Sequence, residues 1–220
     1  MRRVPEPELM DAKEQAAAYA VADFAEPHQL FVSTYQRLFP DPPEGPAVDL
    51  GCGPGDVLAR FSAAYPRLAI DGIDAGPNML RAAAERLADH ATVRLFRVHL
   101  PASPPAAARY GLLISNSLLH HLPDPQVLWQ TIKAWSAERA QVLVMDLRRP
   151  DSAQIARELV ERHSGAEPEL LKQDFYNSLL AAYRVEEVAG QLARAGLALE
   201  VEPLGDRHLI VWGKLGDRSR

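Results

Sequence analysis

Residues 47 to 57 read Ala-Val-Asp-Leu-Gly-Cys-Gly-Pro-Gly-Asp-Val, and this stretch decides the fold of the 220-residue chain. Val48 and Leu50 are apolar strand residues, glycines then alternate at 51, 53 and 55, and the periodic apolar residues of a helix begin at Val57. Alternating glycines let a backbone pass close beneath a ligand in dihedral angles that other residues avoid. The stretch therefore predicts a nucleotide cradle between a strand and a helix.

The charges of this loop indicate which nucleotide it binds. A dinucleotide fingerprint needs a third glycine at position 56, where the chain has Asp56. A pyrophosphate at this helix N-terminus would be repelled by Asp49 and Asp56, and the loop holds no Lys or Arg. A nicotinamide-dependent oxidoreductase is therefore disfavoured. The same carboxylates suit a nucleoside that carries a sulfonium and an ammonium group, which describes S-adenosylmethionine.

A second acid supports this interpretation. The next apolar run, residues 68 to 73, ends at Asp74, which follows Gly51 by 23 positions. This is close to the spacing at which a carboxylate at the tip of the second strand holds ribose hydroxyls. The alternative is that Asp74 only caps the helix that carries Met79. Loop and acid together favour ribose binding.

Three segments, residues 48–57, 72–80 and 112–122, resemble motifs I, II and IV of the class I S-adenosylmethionine-dependent methyltransferases. The matching positions of the first two motifs are Asp49, Gly51, Gly53, Gly55 and Asp74. The matching positions of motif IV are Ser115, Asn116, Leu119, His120, His121 and Leu122. The motifs occur in the order and spacing of the family.

The resemblance implies an α/β fold, a Rossmann-like three-layer sandwich. Its seven-stranded sheet is mostly parallel, with the seventh strand antiparallel. We expect one domain over residues 1–220, with N-terminal cap helices in 1–45 and a cofactor-binding core in 46–147. A helical lid insertion is expected in 148–184, and a terminal helix and strand hairpin in 185–213. The apolar periodicity predicts the two N-terminal helices over residues 7–24 and 27–39.

The resemblance also implies the residues of the site. We expect the cofactor to be held by eleven residues: Asp49, Gly51, Cys52, Gly53, Gly55, Asp74, Ala75, Met79, His99, Leu100 and Asn116. His99 stands where the family commonly has an acid that bonds the adenine amine. A neutral imidazole nitrogen can accept that bond instead.

The candidate substrate residues come from the N-terminal helices, the end of strand five and the lid. They are Tyr19, Asp23, His28, Arg148 and Tyr176. His120 and His121 are the candidate catalytic bases for an acceptor that must lose a proton. The alternatives are that the two histidines only close the turn after strand four, and that Tyr19 and Tyr176 only pack. The Pro-Pro-aromatic segment of nucleobase amine methyltransferases is missing after Asn116, so such a substrate is not expected.

Composition narrows the function further. The single cysteine, Cys52, excludes an intramolecular disulfide and the multi-cysteine metal sites, and no metal is expected. A net charge of −5 without a basic stripe argues against a nucleic-acid partner, and the chain has no apolar run of membrane length. We therefore predict a cytoplasmic enzyme that methylates a small molecule, with the acceptor atom and oligomeric state left open. The alternative is a protein that binds or senses S-adenosylmethionine without catalysis.

Overall fold

The structure is a computed structural model that describes residues 1–7, 9, 11–13, 18–19, 25–105 and 109–216. Seven strands form one sheet: β1 (Ala47–Leu50), β2 (Ile70–Asp74), β3 (Val93–Arg97), β4 (Tyr110–Asn116), β5 (Ser136–Leu147), β6 (Glu200–Leu204) and β7 (His208–Lys214). Their order is β3-β2-β1-β4-β5-β7-β6, and β7 runs antiparallel to both of its neighbours. The predicted Rossmann-like sheet with an antiparallel seventh strand is confirmed.

The described helices flank this sheet. They are α1 (Ala25–Leu38), α2 (Asp56–Ala64), α3 (Pro77–Arg86), α4 (Gln126–Trp135), α5 (Ala153–Ser164), α6 (Glu169–Ala181) and α7 (Val185–Ala195). Because side chains alternate along a strand, β4 sends Leu113 to one face and Leu112 and Ile114 to the other. The Leu113 face packs on α4 and α7, and the opposite face packs on α1 and α2. The sheet is thus covered on both faces, as its continuous apolar strands require.

Helices α5 and α6 lie between β5 and α7, in the segment predicted as a lid. They share a small apolar cluster that includes Leu147, Leu159 and Leu179. The N-cap of α5 is Ser152, whose hydroxyl accepts a hydrogen bond from the backbone nitrogen of Ile155. Among the described residues, no helix is long and apolar enough to cross a membrane.

The first seven residues form an extended segment, which we call the N-terminal strap. The nitrogen of Val4 donates to the carbonyl oxygen of Leu180 at 3.0 Å, so the strap lies along the end of α6. The prediction of a helix over residues 7–24 is wrong at the described positions 7, 9, 11 and 12, which are not helical, whereas the described positions 13, 18 and 19 are helical. Pro5 and Pro7 have no backbone N–H to give to a helix, and the strap bonds to α6 instead. The helix predicted over residues 27–39 is α1.

Strand β4 begins where the chain entering β1 crosses it. A Cβ atom placed on Gly111 would lie 1.8 Å from the carbonyl oxygen of Glu44. The Gly111 nitrogen donates to the carbonyl oxygen of Pro46 at 2.9 Å, which holds the two backbones together. This close approach explains why residue 111 is glycine.

Candidate active site

A cavity of about 530 Å³ opens at the carboxyl ends of β1 to β5. Ligand crevices of open α/β sheets lie at this edge. We call one part the cofactor half, lined by Asp49, Gly51, Cys52, Gly53, Asp74, Ala75, Met79, His99, Leu100 and Asn116. The acceptor half is lined by Tyr19, His28, His120, His121, His163, Leu171, Phe175, Ser178, Arg207 and His208, among others. The two halves are continuous.

The glycine turn after β1 forms the floor of the cofactor half. Gly51, Gly53 and Gly55 have φ values of 77°, 51° and 81°, in the left-handed region that glycine tolerates. A Cβ atom on Gly53 would have nothing within 4 Å, so the space above it is open. Gly55 does not line the cavity, contrary to expectation. Its Cβ would come within 2.9 Å of Leu87, so Gly55 serves the packing of the turn on α3.

Asp74 holds the cofactor half together from the tip of β2. Its carboxylate accepts hydrogen bonds from the nitrogens of Gly53 at 2.9 Å and Gly76 at 2.7 Å. Burial raises the pKa of Asp74 against the lowering effect of these bonds. The capping role considered for Asp74 belongs to Asp11, whose Oδ1 accepts from the nitrogens of Asn78 at 2.9 Å and Met79 at 3.1 Å.

The two acids of the loop differ in their surroundings. Asp49 is 1% exposed, and its Oδ1 has no hydrogen-bond partner among the described residues. Burial, with the nearby charge of Asp74, raises the pKa of Asp49 to about 8. Asp56 instead contacts His28 at 2.5 Å and Arg60 at 2.8 Å. Burial raises the pKa of Asp56, but these two hydrogen bonds outweigh it and leave the pKa below its usual value.

A cationic ligand group is therefore expected to meet Asp49. Asp49 lines the cavity and its buried Oδ1 is unpartnered among the described residues, whereas Asp56 is already paired with His28 and Arg60. This corrects the sequence interpretation, which gave the two carboxylates the same role. The Oδ1 of Asn116 is a second buried acceptor without a hydrogen-bond partner in the described chain. Both orphaned oxygens belong to the cofactor half.

The histidine pair lies in a short 3-10 turn, Leu119–His121, after β4. His120 is 2% exposed; its Nδ1 lies 2.5 Å from Asp146 and its Nε2 lies 3.3 Å from Glu6 of the strap. Burial lowers the pKa of His120, but the carboxylates of Asp146 and Glu6 outweigh it and raise the pKa. Burial and the charge of His120 lower the pKa of His121 well below its usual value.

Sequence analysis missed both carboxylates around His120. Asp146 lies in the apolar run of β5. A charged residue within a buried apolar strand is the signal that could have identified it. Glu6 lies far from the pair in sequence and carries no motif. Because both ring nitrogens of His120 face carboxylates, this residue is poorly placed to take a proton from an acceptor.

Known methyltransferases are similar to the part of the chain that builds the cofactor half. Residues 48–142 match the family described as "Methyltransferase domain". Trans-aconitate 2-methyltransferase of Rhizobium meliloti is 39% identical over 94 residues, covering 42% of this chain and 35% of that protein. This part of the chain is similar to methyltransferase domains. The Klebsiella pneumoniae trans-aconitate 2-methyltransferase is 35% identical over 111 residues, covering 49% of this chain and 40% of that protein. The match thus spans between a third and two fifths of the length of these relatives.

Solved methyltransferase structures share the fold. The plantazolicin methyltransferase BpumL, in complex with a pentazolic desmethylPZN analog and SAH, superposes with a TM-score of 0.71 at 14% identity. The superposed region covers 91% of this chain and 89% of BpumL. A SAM-dependent methyltransferase from Aquifex aeolicus gives a TM-score of 0.67 at 17% identity, over 94% of this chain and 100% of its own. At these identities the likeness concerns the fold.

The cofactor half fits S-adenosylmethionine. The unpartnered Oδ1 of Asp49 suits the ammonium group, and the open space above Gly53 admits a ligand close to the backbone. Asp74 offers a carboxylate at the tip of β2, where the family binds ribose. Burial raises the pKa of the Cys52 thiol well above its usual value, so Cys52 lines this half as an uncharged group.

The substrate residues expected from sequence are divided by the structure. Tyr19 and His28 line the acceptor half, and Asp23 lies outside the described residues. Arg148 does not line it, because its guanidinium donates to the carbonyl oxygens of Gly205 and Asp206. Tyr176 also does not line it and instead packs on the cluster between α5 and α6.

Several lining residues were not identified from sequence, among them Phe175 and Arg207. Phe175, next to Tyr176 on α6, faces the acceptor half. Arg207, in the connection between β6 and β7, also lines it, in contact with His163 and 3.3 Å from Glu26. Arg207 is 9% exposed. The cavity thus has a guanidinium, but it comes from the β6–β7 connection and not from the end of β5.

Asp74→Ala is expected to weaken S-adenosylmethionine binding about tenfold to a hundredfold. The change removes a charged acceptor for ribose and frees the Gly53 nitrogen, and bonds to charged groups contribute about 1.5–3 kcal/mol. Calorimetric titration with S-adenosylmethionine measures the effect. Glu138→Ala, which removes an exposed acid of β5, is the control and is expected to bind normally. Wild-type affinity in Asp74→Ala would remove Asp74 from the site.

Proposed function

We propose that this chain is a methyltransferase that transfers the methyl group of S-adenosylmethionine to a carboxylate oxygen of a small acid. The observation that carries the proposal is the continuity of the cofactor half and the acceptor half in one cavity. The carboxylate oxygen attacks the methyl carbon as the carbon–sulfur bond breaks. The bonding electron pair stays on sulfur, giving S-adenosylhomocysteine and a methyl ester. Alignment of the two reactants in such a cavity contributes about 7–11 kcal/mol in favourable cases.

The position of His120 favours a carboxylate as the acceptor. A hydroxyl or a protonated amine must lose a proton to a base, whereas a carboxylate is already an anionic nucleophile at neutral pH. Both nitrogens of His120 face Asp146 and Glu6, so this imidazole offers no free nitrogen as a base. We propose that the histidine pair shapes the acceptor half and that Tyr19 and His28 contribute polar contacts there.

Arg207 gives the acceptor half a group that recognises carboxylates. A guanidinium binds a carboxylate through paired hydrogen bonds. Its present partner Glu26 has a side chain that is 81% exposed, so a substrate carboxylate can replace it at little cost. The trans-aconitate 2-methyltransferases among the relatives carry a tricarboxylic acid in their name, which supports this class of acceptor. The cytoplasmic location and the lack of a nucleic-acid partner stay predictions of the sequence.

The test uses S-adenosylmethionine labelled in its methyl group and a panel of small mono-, di- and tricarboxylic acids. We expect label to enter at least one acid and to be released as methanol by mild alkali, because methyl esters hydrolyse there. Phenols and amines of similar size form the comparison panel. Label that resists alkali, or that enters only the comparison panel, would contradict a carboxylate acceptor.

Arg207→Ala is expected to raise the KM for the acid at least tenfold and to leave S-adenosylmethionine affinity unchanged. The lost contact is a charge-assisted pair, and such pairs contribute about 1.5–3 kcal/mol. Steady-state kinetics and cofactor titration separate the two effects. Arg157→Ala removes an exposed arginine of α5 outside the cavity and serves as the charge-matched control. Equal KM values in the two variants would show that the substrate acid does not bind at Arg207.

A further inference from the structure

Three ligand-type side chains meet at the wall of the acceptor half. They are Glu6 of the N-terminal strap and the adjacent His120 and His121. One nitrogen of each imidazole and a carboxylate oxygen lie within 4.8 Å of one another. The Oε1 of Glu6 is 3.3 Å from the Nε2 of His120 and 3.3 Å from the Nδ1 of His121. These side chains are largely buried, with exposed fractions of 7%, 2% and 15%.

The two separations from Glu6 are those of ligands around one ion. Two atoms bound to zinc at about 2.0–2.2 Å with a tetrahedral angle are about 3.3–3.6 Å apart. The Nδ1 of His121 is buried and has no hydrogen-bond partner among the described residues, although it lies 3.3 Å from a carboxylate oxygen. A buried nitrogen and a carboxylate that face each other without a hydrogen bond leave a place for a cation between them.

Each imidazole also has an outer partner. The Nδ1 of His120 lies 2.5 Å from Asp146, which fixes the ring and leaves the Nε2 directed at Glu6. The backbone of Pro7 lies close to His121. Metal-bound histidines characteristically donate their second nitrogen to a carboxylate or a backbone carbonyl.

We propose that Glu6, His120 and His121 form a zinc site at the wall of the acceptor half. Two neutral imidazoles and one carboxylate are a ligand set that zinc uses, with a further position left for water or a substrate oxygen. His120 and His121 line the cavity, so that position is accessible from the acceptor half. The site ties the N-terminal strap to the turn after β4. Zinc binding at this site can be measured without methyl transfer.

The test titrates Zn²⁺ into the full chain after treatment with a chelator, without S-adenosylmethionine. We expect one equivalent to bind to the wild type, and Co²⁺ to give the visible absorption of a four-coordinate ion. Glu6→Gln, which is isosteric, and His121→Ala are each expected to weaken Zn²⁺ binding at least about tenfold. His163→Ala removes another cavity histidine that is not one of the three ligands and is expected to keep wild-type affinity.

Circular dichroism checks that each variant is folded, and Glu6→Gln decides the result if His121→Ala fails to fold. The proposal is overturned if the wild type binds no stoichiometric Zn²⁺, or if Glu6→Gln binds it as tightly as the wild type. Equal weakening in His163→Ala would also overturn it, because binding would then be adventitious. None of these outcomes depends on the methyl acceptor, so a failed zinc site and a failed carboxylate proposal are distinguishable.

Discussion

Asp49→Asn is expected to abolish most S-adenosylmethionine binding while stabilising the cofactor-free protein. Asp49 is 1% exposed, and its Oδ1 has no partner in the described structure, so an ionised carboxylate there is unfavourable until a cation arrives. Asparagine keeps the shape and removes the charge. Removing one member of a buried charge pair costs about 2–5 kcal/mol, which predicts affinity at least about thirtyfold weaker.

The stability effect follows from the raised pKa. An aspartate in an unfolded chain has a pKa of about 3.9, and that of folded Asp49 is about 8. A group whose pKa is raised on folding contributes stability below its unfolded pKa and loses it as the pH rises toward the folded pKa. The cofactor-free wild type is therefore expected to lose stability between about pH 4 and pH 8. The Asp49→Asn variant lacks this loss. Its free energy of unfolding at neutral pH is therefore expected to exceed that of the wild type by on the order of 2–4 kcal/mol.

Cofactor binding is expected to have the opposite pH dependence. A cationic ligand needs ionised Asp49, so the free protein must release a proton below pH 8. The Kd for S-adenosylmethionine should fall about tenfold per pH unit between about pH 5.5 and 7.5 in the wild type, and should be nearly flat in Asp49→Asn. Calorimetric titration across this pH range measures the Kd of the wild type and of Asp49→Asn.

Asp71 provides the matched control. It is also 1% exposed, in the neighbouring strand β2, but its carboxylate accepts hydrogen bonds from Arg94 at 2.8 Å and Tyr110 at 2.8 Å. Asp71→Asn is expected to destabilise the protein and to leave cofactor affinity unchanged. Urea unfolding measures the free energy of unfolding of both variants. A change of the same sign in Asp49→Asn and Asp71→Asn would contradict the role given to the unpartnered oxygen of Asp49.

Gly111→Ala is expected to cause a large loss of stability, about 3 kcal/mol or more. The added Cβ would lie 1.8 Å from the Glu44 carbonyl oxygen and 2.6 Å from its carbon, and both belong to the backbone. A side chain can rotate away from such a contact, but here a strand or the loop before β1 must move. Thermal unfolding measures the loss.

Gly190→Ala is the control for this prediction. Gly190 lies within α7, and a Cβ there would have the terminal nitrogen of Arg194 at 4.0 Å as its nearest neighbour. Alanine is favoured over glycine inside a helix by about 0.5–1 kcal/mol, so this variant should be slightly more stable than the wild type. Replacing glycine with alanine is thus expected to lower the stability at position 111 and to raise it at position 190. A stable Gly111→Ala protein would show that the loop yields more easily than its contacts indicate.

Much of the sheet could be predicted because its signals are local. The apolar residues before the glycine turn predicted β1, and the apolar run that ends at Asp74 predicted β2. A strand hairpin was expected within residues 185–213, where β6 and β7 pair. The cofactor half follows from the same local motifs, since each of its acids and glycines lies at the end of a strand. Gly55 was the exception, because the packing of α3 on the turn is a tertiary contact.

The acceptor half was harder because its partners are distant in sequence. Glu6 and Ser178, whose side chains are 3.0 Å apart, are separated by 172 positions. Arg148 was chosen because it follows β5, but it continues the strand in a parallel bridge to Tyr183 and its side chain turns to the β6–β7 connection. Arg207 in that connection reaches the cavity instead. The directions in which the side chains of Arg148 and Arg207 point are not encoded in a local sequence pattern.

The distribution of histidines makes this protein well suited to magnetic resonance. Six of its seven histidines line the one cavity: His28, His99, His120, His121, His163 and His208. The seventh, His90, lies outside it and is an internal reference. With nitrogen-15 in the imidazole rings alone, His99 would report on events in the cofactor half and the other five on the acceptor half. Occupancy of each half can thus be followed separately from a handful of signals, without attaching a foreign probe.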